Sequence, residues 1–353
     1  MPEARDPIAD LRRIAFLLER AHEKTYRVRA FRGAAAKLGK LPEGELATRA
    51  QAGTLTDIAG IGDVTARCVV ESLNGEQPVY LRRLEATAGQ DLDAETAGLL
   101  HALRGDCHAH SDWSDGGSPI DEMAMAAAQI GHEYLVLTDH SPRLTVARGL
   151  SAERLAEQLD VVADINAGFA TIGMSFRLLT GIEVDILADG SLDQTDELLD
   201  RLDVVVASVH SSLKDEPEVM TRRMVTALAN PRMDILGHCT GRLITGGRGT
   251  RPESRFDAEA VFAAAVEHDK AIEINSRPER LDPPKRLLRL ALEAGCRFTI
   301  DTDAHAPGQL DWLANGCERA IACGVPADRI LNTLPADDLL AWTASHQKTA
   351  SRK

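Results

Sequence analysis

From about residue 105 the chain alternates short apolar runs with helical stretches, and this rhythm limits the possible fold more than any other feature. The runs are DCHAH (106–110), YLVLTDH (134–140), RLLTGIEVDIL (177–187), VVVASVH (204–210), DILGHC (234–239), AIEIN (271–275) and RFTIDTDAH (297–305). Helical patterns such as PIDEMAMAAAQIG (119–131) and DAEAVFAAAVEHD (257–269) lie between most of them. Seven β-then-α units imply a parallel sheet covered on both faces, because each crossover lays a helix against it. Seven is close to the eight of a closed β/α barrel.

In such barrels the chemistry sits at the C-terminal ends of the strands. Nearly every run ends in a metal-ligand type of residue: His108 and His110, His140, Glu183, His210, His238, then Asp303 and His305. Asp115 follows in the loop after the first run. Alternate strand residues point the same way, so His108 and His110 are expected to share a face, as are Asp303 and His305. A lone histidine at a strand end is ordinarily a hydrogen-bonded loop residue, and a His-x-His pair alone decides little. Six histidines and three acids around one barrel mouth are better read as a polynuclear metal site. Mixed nitrogen and oxygen ligands suit Zn²⁺, Mn²⁺ or Fe²⁺. The other histidines (His22, His101, His132, His268, His346) fall on helices or near termini and are given no role.

The first hundred residues read differently. DPIADLRRIAFLLERAHEK places Ile8, Leu11, Ile14, Ala15, Leu18 and Ala21 at helical spacing, with Asp6 and Pro7 as cap and first turn. RVRAFRGAAAKLGKL is a second helix ending near Pro42. In GTLTDIAGIGDVTARCVVESLNG, Gly60-Ile61-Gly62 is a tight turn between two short helices. That turn fits a helix-hairpin-helix, whose backbone N–H groups contact phosphate, or equally a purely structural link. Residues 1–40 hold ten Lys/Arg against five Asp/Glu, a net +5 in a chain of net −14. A basic module joined to an acidic one is expected.

The acidic total argues against the whole chain coating nucleic acid. No run approaches the roughly 18 apolar residues of a membrane span, so no membrane partner is expected. The N-terminal residues lack the apolar core of a signal peptide, and the six scattered cysteines read as reduced thiols. A cytoplasmic protein is expected; oligomeric state is not legible.

The segments HAHSDWSDG, LTDHS, GIEVDILADGSLD, SVHSS, ILGHCTGRLI, EINSRPERLD and DTDAH resemble the motifs of the PHP (polymerase and histidinol phosphatase) domain. They are most similar to the version found in bacterial and archaeal family X DNA polymerases. YRVRAFRGAAAKLGKLP and LTDIAGIGDVTA resemble that family's N-terminal helix-hairpin-helix domain. The nucleotidyltransferase body that normally lies between the two is missing. The implied organisation is a helix-hairpin-helix DNA-binding domain (1–88), a linker (89–104) and a PHP domain (105–345).

The resemblance implies an α/β fold: a distorted seven-stranded β/α (TIM-like) barrel behind a small all-α domain. It implies up to three divalent ions, zinc or manganese, with iron as a further candidate. His108, His110, Glu183 and Asp303 would hold the first. Glu183 would bridge to a second held by His210 and His238. Asp115, His140 and His305 would hold the third. Glu183, His210 and Asp303 would be central to catalysis. Arg242, Arg248, Arg277 and Arg280 are candidates to grip substrate phosphates, though each has an equally good reading as a surface arginine. Arg27, Arg29, Arg32, Gly60 and Gly62 are candidates for DNA contact. Two departures from the family pattern stand out. Cys239 replaces a usual proline. Cys68 occupies the place where some members carry a lysine that forms a Schiff base with a 5′-deoxyribose phosphate, so lyase chemistry is not expected.

The implied reaction is metal-assisted phosphoester hydrolysis, in which ions clamp the phosphoryl oxygens and acidify an attacking water. Three readings compete. One is a DNA phosphodiesterase working as a 3′–5′ exonuclease, extending to abasic-site incision, in repair. Another is a phosphomonoesterase of the histidinol phosphate type. The third is a non-enzymatic DNA-binding module, against which the complete ligand set counts.

Overall fold

The computed structural model describes residues 5–89, 91–246 and 249–350. The chain divides into two compact units, 1–91 and 92–353.

The first unit is helical: α1 (Pro7–Arg20), α2 (Thr25–Leu38), α3 (Glu45–Ala52), α4 (Asp63–Leu73) and α5 (Val79–Thr87). Asp6 caps α1 by accepting from the Ile8 N–H, and Pro7 occupies the first turn, where its missing donor is harmless. The apolar stripe Leu11, Ile14, Ala15 and Leu18 is fully buried. Gly60 has φ +90°, a conformation that favours glycine, and it forms the turn ahead of α4.

The second unit begins with α6 (Ala94–Ala102). This helix lies in the segment read from sequence as a linker, and its Leu99 joins the outer core of the barrel. Then follow β1 (Gly105–Ala109), α7 (Ile120–Gln129), β2 (Tyr134–Leu137), α8 (Ala152–Thr171), β3 (Arg177–Asp185), α9 (Asp196–Leu199), β4 (Val204–Ser208) and α10 (Pro217–Leu228). The remainder is β5 (Ile235–Leu236), α11 (Ala258–Glu267), β6 (Ala271–Asn275), α12 (Lys285–Ala294), β7 (Arg297–Asp301), α13 (Leu313–Cys323) and α14 (Ala336–Ala350). The strands are parallel and ordered β1 to β7, as the sequence rhythm predicts.

With seven strands, the seam between β1 and β7 closes largely through side chains. Asp301 Oδ1 accepts from Cys107 N at 2.8 Å, and Asp106 accepts from Thr302 N at 3.3 Å. Asn332 inserts between the two strands: its Nδ2 donates to Gly105 O at 2.9 Å and Ile300 O at 2.7 Å, and its Oδ1 accepts from Ile300 N. Backbone groups that lack a ladder partner are thereby satisfied. One main-chain bond, His110 N to Ala304 O at 2.8 Å, completes the mouth.

The lower interior is apolar. Tyr134, Val136, Leu179, Val204, Val206 and Ile235 fill it, with Leu331, Leu339 and Trp342 packed in the same cluster. The outer strand faces pack on the helices through residues such as Ile182, Val184, Ile272 and Ile274. Polar side chains occupy the upper interior, where strand ends converge. No helix among the described residues is long and apolar enough to cross a membrane.

Candidate metal centre

β1 delivers its histidines through an irregularity. The β1–β2 register shifts between Asp106 and Ala109, as at a β-bulge. Cys107 packs in the interior cluster and Ala109 in an outer one, so alternation is broken once. His108 and His110 still both face the mouth, at 0% exposure each. The expectation that Asp303 and His305 share a strand face needs correction. β7 ends at Asp301, and Asp303 has φ +53°, so the turn beyond the strand, not the pleat, aims both side chains inward.

Glu183 is the hub. Its Oε1 lies 2.8 Å from His238 Nε2 and 3.2 Å from His210 Nε2. Its Oε2 lies 2.9 Å from His140 Nδ1, 3.3 Å from His108 Nε2 and 3.6 Å from His110 Nε2. Asp303 Oδ1 lies 3.4 Å from His110 Nε2. Asp115 Oδ1 lies 3.3 Å from His305 Nε2 and 3.5 Å from His140 Nε2. Three groups have ligand atoms close enough to share an ion: His110–Asp115–His140–His305, His108–His110–Glu183 and His140–Glu183–His210. His110, His140 and Glu183 each belong to two of them, which makes this one continuous cluster.

Burial is the largest influence on Glu183 and favours its neutral form, but His210, His108 and His140 together outweigh it and hold the carboxyl well below its usual range. Burial also opposes charge on His210, yet Glu183 and Asp185 push that imidazole up to about 9. Burial, reinforced by His305 and His140, brings His110 down to about 3. Burial and Arg280 lower His238. Both therefore keep free lone pairs at neutral pH, the form that binds metal.

The fit to cations rests on unpaired atoms. His108 Nε2, His110 Nε2, His140 Nδ1, His210 Nε2, His238 Nε2 and both Glu183 oxygens are buried and make no hydrogen bond. Leaving so many polar atoms unpaired in one interior is costly, and a divalent cation with nitrogen and oxygen ligands relieves it.

Sequence reasoning missed the carboxylates behind the ring. Glu273 on β6 lies 2.5 Å from His108 Nδ1 and accepts from His238 N at 2.5 Å. Asp185 lies 2.9 Å from His210 Nδ1. Such contacts fix the tautomer and orientation of a ligand imidazole. The alternation in AIEIN and GIEVD carried the signal, since an acid on the inward face of a buried strand needs a partner. Asp139 is a further buried acid, accepting from Ser111 N at 2.8 Å, Ser111 Oγ at 2.5 Å and Gln158 Nε2 at 2.7 Å.

Among the candidate arginines, Arg280 donates from Nε to Asp303 Oδ2 at 3.0 Å, while its Nη1 is buried without a hydrogen bond. Arg277 Nη1 donates to Asp303 O at 3.0 Å and lies 2.9 Å from His305 Nδ1. Arg242 is engaged by backbone, donating to Arg280 O at 3.0 Å and to Leu281 O. Arg248 lies outside the described residues. In the helical unit Arg29 is exposed, whereas Arg32 pairs with buried Glu19 at 2.6 Å and Arg27 with Glu23 at 2.7 Å. Gly62 N donates to Thr65 Oγ1, and Lys37 Nζ donates to Ala59 O beside Gly60. Cys68 is buried.

A parallel barrel with imidazoles and carboxylates gathered at its mouth is suited to holding divalent cations, and comparison with known sequences gives the class of protein. The PHP domain model matches residues 106–277, and a helix-hairpin-helix domain model matches residues 3–77. The DNA polymerase/3′-5′ exonuclease PolX of Bacillus subtilis is 38% identical over 259 residues, 72% of this chain and 44% of PolX. This chain thus spans less than half of that relative. A "Probable phosphatase" of Caldicellulosiruptor saccharolyticus is 30% identical over 53% of this chain and 73% of its own length. Among solved structures, the histidinol phosphate phosphatase of Lactococcus lactis, complexed with zinc, L-histidinol and phosphate, covers 63% of this chain and 92% of its own, at 20% identity and a TM-score of 0.45. The chain belongs to the PHP family and is a hydrolase acting on phosphoester bonds.

Proposed function

We propose that this protein is a metal-dependent DNA phosphodiesterase, a 3′–5′ exonuclease extending to abasic-site incision, with a role in DNA repair. The observation that carries this reading is the pairing of the two modules. A helix-hairpin-helix domain and a PHP domain stand in one chain, and that chain resembles a protein named for 3′–5′ exonuclease activity. DNA contact falls to the helical unit, with Arg27, Arg29 and Arg32 on α2 and the Gly60–Gly62 turn as its candidate surface. Arg29 has the most open side chain of the three arginines.

In the barrel, His108, His110, Glu183 and Asp303 would hold one ion. Glu183, His210 and His238 would hold a second, and Asp115, His140 and His305 a third. Zinc or manganese suits this donor set, with iron a third choice. When bound, such ions neutralise phosphoryl oxygens and acidify water. The protein's own residues do the rest. Glu183 presents one oxygen to each side of the ring and so fixes its spacing. Asp303 anchors Arg280, whose unpaired Nη1 would grip a substrate phosphate oxygen. Arg242 holds the Arg280–Leu281 backbone and thereby supports that grip. Arg277, beside His305, would meet the phosphate from the third-ion side.

A phosphomonoesterase of the histidinol phosphate type is the second reading, favoured by relatives named as probable phosphatases at 28–30% identity. A panel assay separates the two. The purified chain is given a labelled 3′-recessed duplex, an abasic duplex and histidinol phosphate, each with Mn²⁺ or Zn²⁺. Stepwise shortening from the 3′ end is expected, with incision of the abasic strand. Turnover of histidinol phosphate alone would establish the second reading.

A further inference from the structure

Three consecutive backbone carbonyls lead into Asp115, those of Asp112, Trp113 and Ser114, and all three accept from guanidinium groups. Arg148 donates to Ser114 O from Nε at 2.8 Å and from Nη2 at 2.6 Å, and also from Nη2 to Asp112 O. Arg154 donates from Nη2 to Trp113 O, and its guanidinium lies 6.0 Å from the centre of the Trp113 ring. Arg154 Nη1 also donates to Arg148 O at 2.9 Å, which ties the two arginines together.

Arg148 lies in the loop that follows His140, and Arg154 in the first turn of α8. Arg148 has φ +56°, a conformation that a side-chain-bearing residue adopts only at a cost. Gly149 cannot be enlarged, since an added Cβ would lie 1.8 Å from Ser141 O. The turn is thus tightly determined, and it aims Arg148 at the loop. From below, Asp139 holds the same loop, accepting from Ser114 Oγ at 2.5 Å.

Asp115 needs such support. It projects from a loop, not a strand, and its side chain is 27% exposed against 0% for Glu183. A ligand on a free loop loses entropy when it is ordered, and pre-ordering removes that cost from cation binding.

We propose that Arg148 and Arg154 are positioning residues. They fix the 112–114 backbone so that Asp115 faces His140 and His305, and thereby set the affinity of that corner of the ring for a divalent cation. The inference rests on the reading of Asp115, His140 and His305 as metal ligands.

The test uses the full chain stripped of metal and titrated with Mn²⁺ by calorimetry, with kcat and KM measured at low and high Mn²⁺. Arg148→Ala and Arg154→Ala are each expected to weaken one class of Mn²⁺ site about tenfold or more, with the remaining sites unchanged. Lost activity should return at high Mn²⁺, and Arg148→Lys, which can still reach Ser114 O, should recover part of the affinity. Asp115→Ala should remove the same class of site. If Asp115→Ala removes a site but the arginine variants leave the isotherm unchanged, the positioning role is wrong. If Asp115→Ala removes none, the ligand reading itself fails. Should Arg148→Ala not fold, Arg148→Lys and Arg154→Ala decide. Equal weakening of every site, with a lowered melting temperature, would make the arginines general structural supports and overturn the proposal.

Discussion

Glu273 lies 2.5 Å from Nδ1 of His108, while Nε2 of that ring lies 3.3 Å from Glu183. The imidazole is therefore held between two buried carboxylates, one facing the proposed ions and one behind. Glu273→Gln keeps the shape and one acceptor but removes the charge that makes the ring basic. Losing such a partner typically lowers metal affinity roughly 10- to 100-fold. Equilibrium dialysis of the variant against Mn²⁺ should show that weakening, with hydrolysis partly restored by excess metal. Unchanged affinity would mean that Glu273 serves only to seal the seat of His238.

Lys270 stands at the other end of the barrel, 2% exposed at the entry to β6. Burial, only partly offset by Asp234 and Asp269, brings its ammonium down from 10.5 to about 8. Below pH 8 folding carries a buried charge. Between about pH 8 and 10.5 the folded state releases its proton before the unfolded state does, so the unfolded state binds more protons and this group makes stability rise with pH. Each pKa unit corresponds to about 1.4 kcal/mol. Lys270→Met should therefore raise the melting temperature at pH 7 by several degrees and flatten this rise in a thermal-denaturation series. A variant less stable than wild type at pH 7 would show that the ammonium is better solvated than its burial implies.

Much of this organisation is legible in the sequence because parallel strands buried on both faces read as continuous apolar runs. VVVAS and YLVL are short runs of branched and aromatic side chains, which favours a buried strand over a helix, and the proposed ligands stand at or just beyond the ends of such runs. Elements that depend on tertiary fit are not legible. The β1 bulge at Asp106–Ala109 leaves no mark in DCHAH, and Asn332 reaches its seam between β1 and β7 from over two hundred residues away from Gly105. Helix α6 is hidden by its weak amphipathic pattern, AETAGLLHA. Arg32 is a candidate DNA contact because α2 is rich in basic residues; its ion pair with Glu19 on the neighbouring helix α1 is not legible in the sequence.

Cys68 is 2% exposed, and burial with Glu71 nearby pushes its thiol up to about 11. It offers neither an amine nor a ready thiolate to an abasic end. Borohydride trapping on an incised abasic duplex should be weak and should vanish when Lys24, Lys37 and Lys40 are replaced together. Efficient trapping that survives the triple replacement would place a lyase site elsewhere.

The helical unit is basic toward its N-terminus, and the chain as a whole is acidic. Each phosphate contact contributes about 0.9 to the salt slope of DNA binding. A fragment starting at Leu92, which keeps α6 with the barrel, should hydrolyse a small chromogenic phosphodiester with nearly wild-type kcat. On long DNA at moderate salt its KM should rise far more than its kcat falls, because the lost contacts are uniform binding. Arg29→Ala in the full chain should reproduce part of that effect and reduce the salt slope by about one contact's worth. A fragment that degrades DNA like the full chain across a salt series would remove the tether from the account.

Glu183 gives one carboxylate oxygen to His238 and His210 and the other to His140, His108 and His110. The most direct measurement is nucleotide release from 3′-labelled DNA by wild type, Glu183→Ala and His210→Ala, with metal content determined on the same preparations. Wild type should release nucleotides in a metal-dependent manner. Glu183→Ala should lose activity together with more than one equivalent of bound ion while its circular dichroism stays native, and His210→Ala should also be inactive. Undiminished release by folded Glu183→Ala protein would contradict a shared metal centre as the seat of hydrolysis.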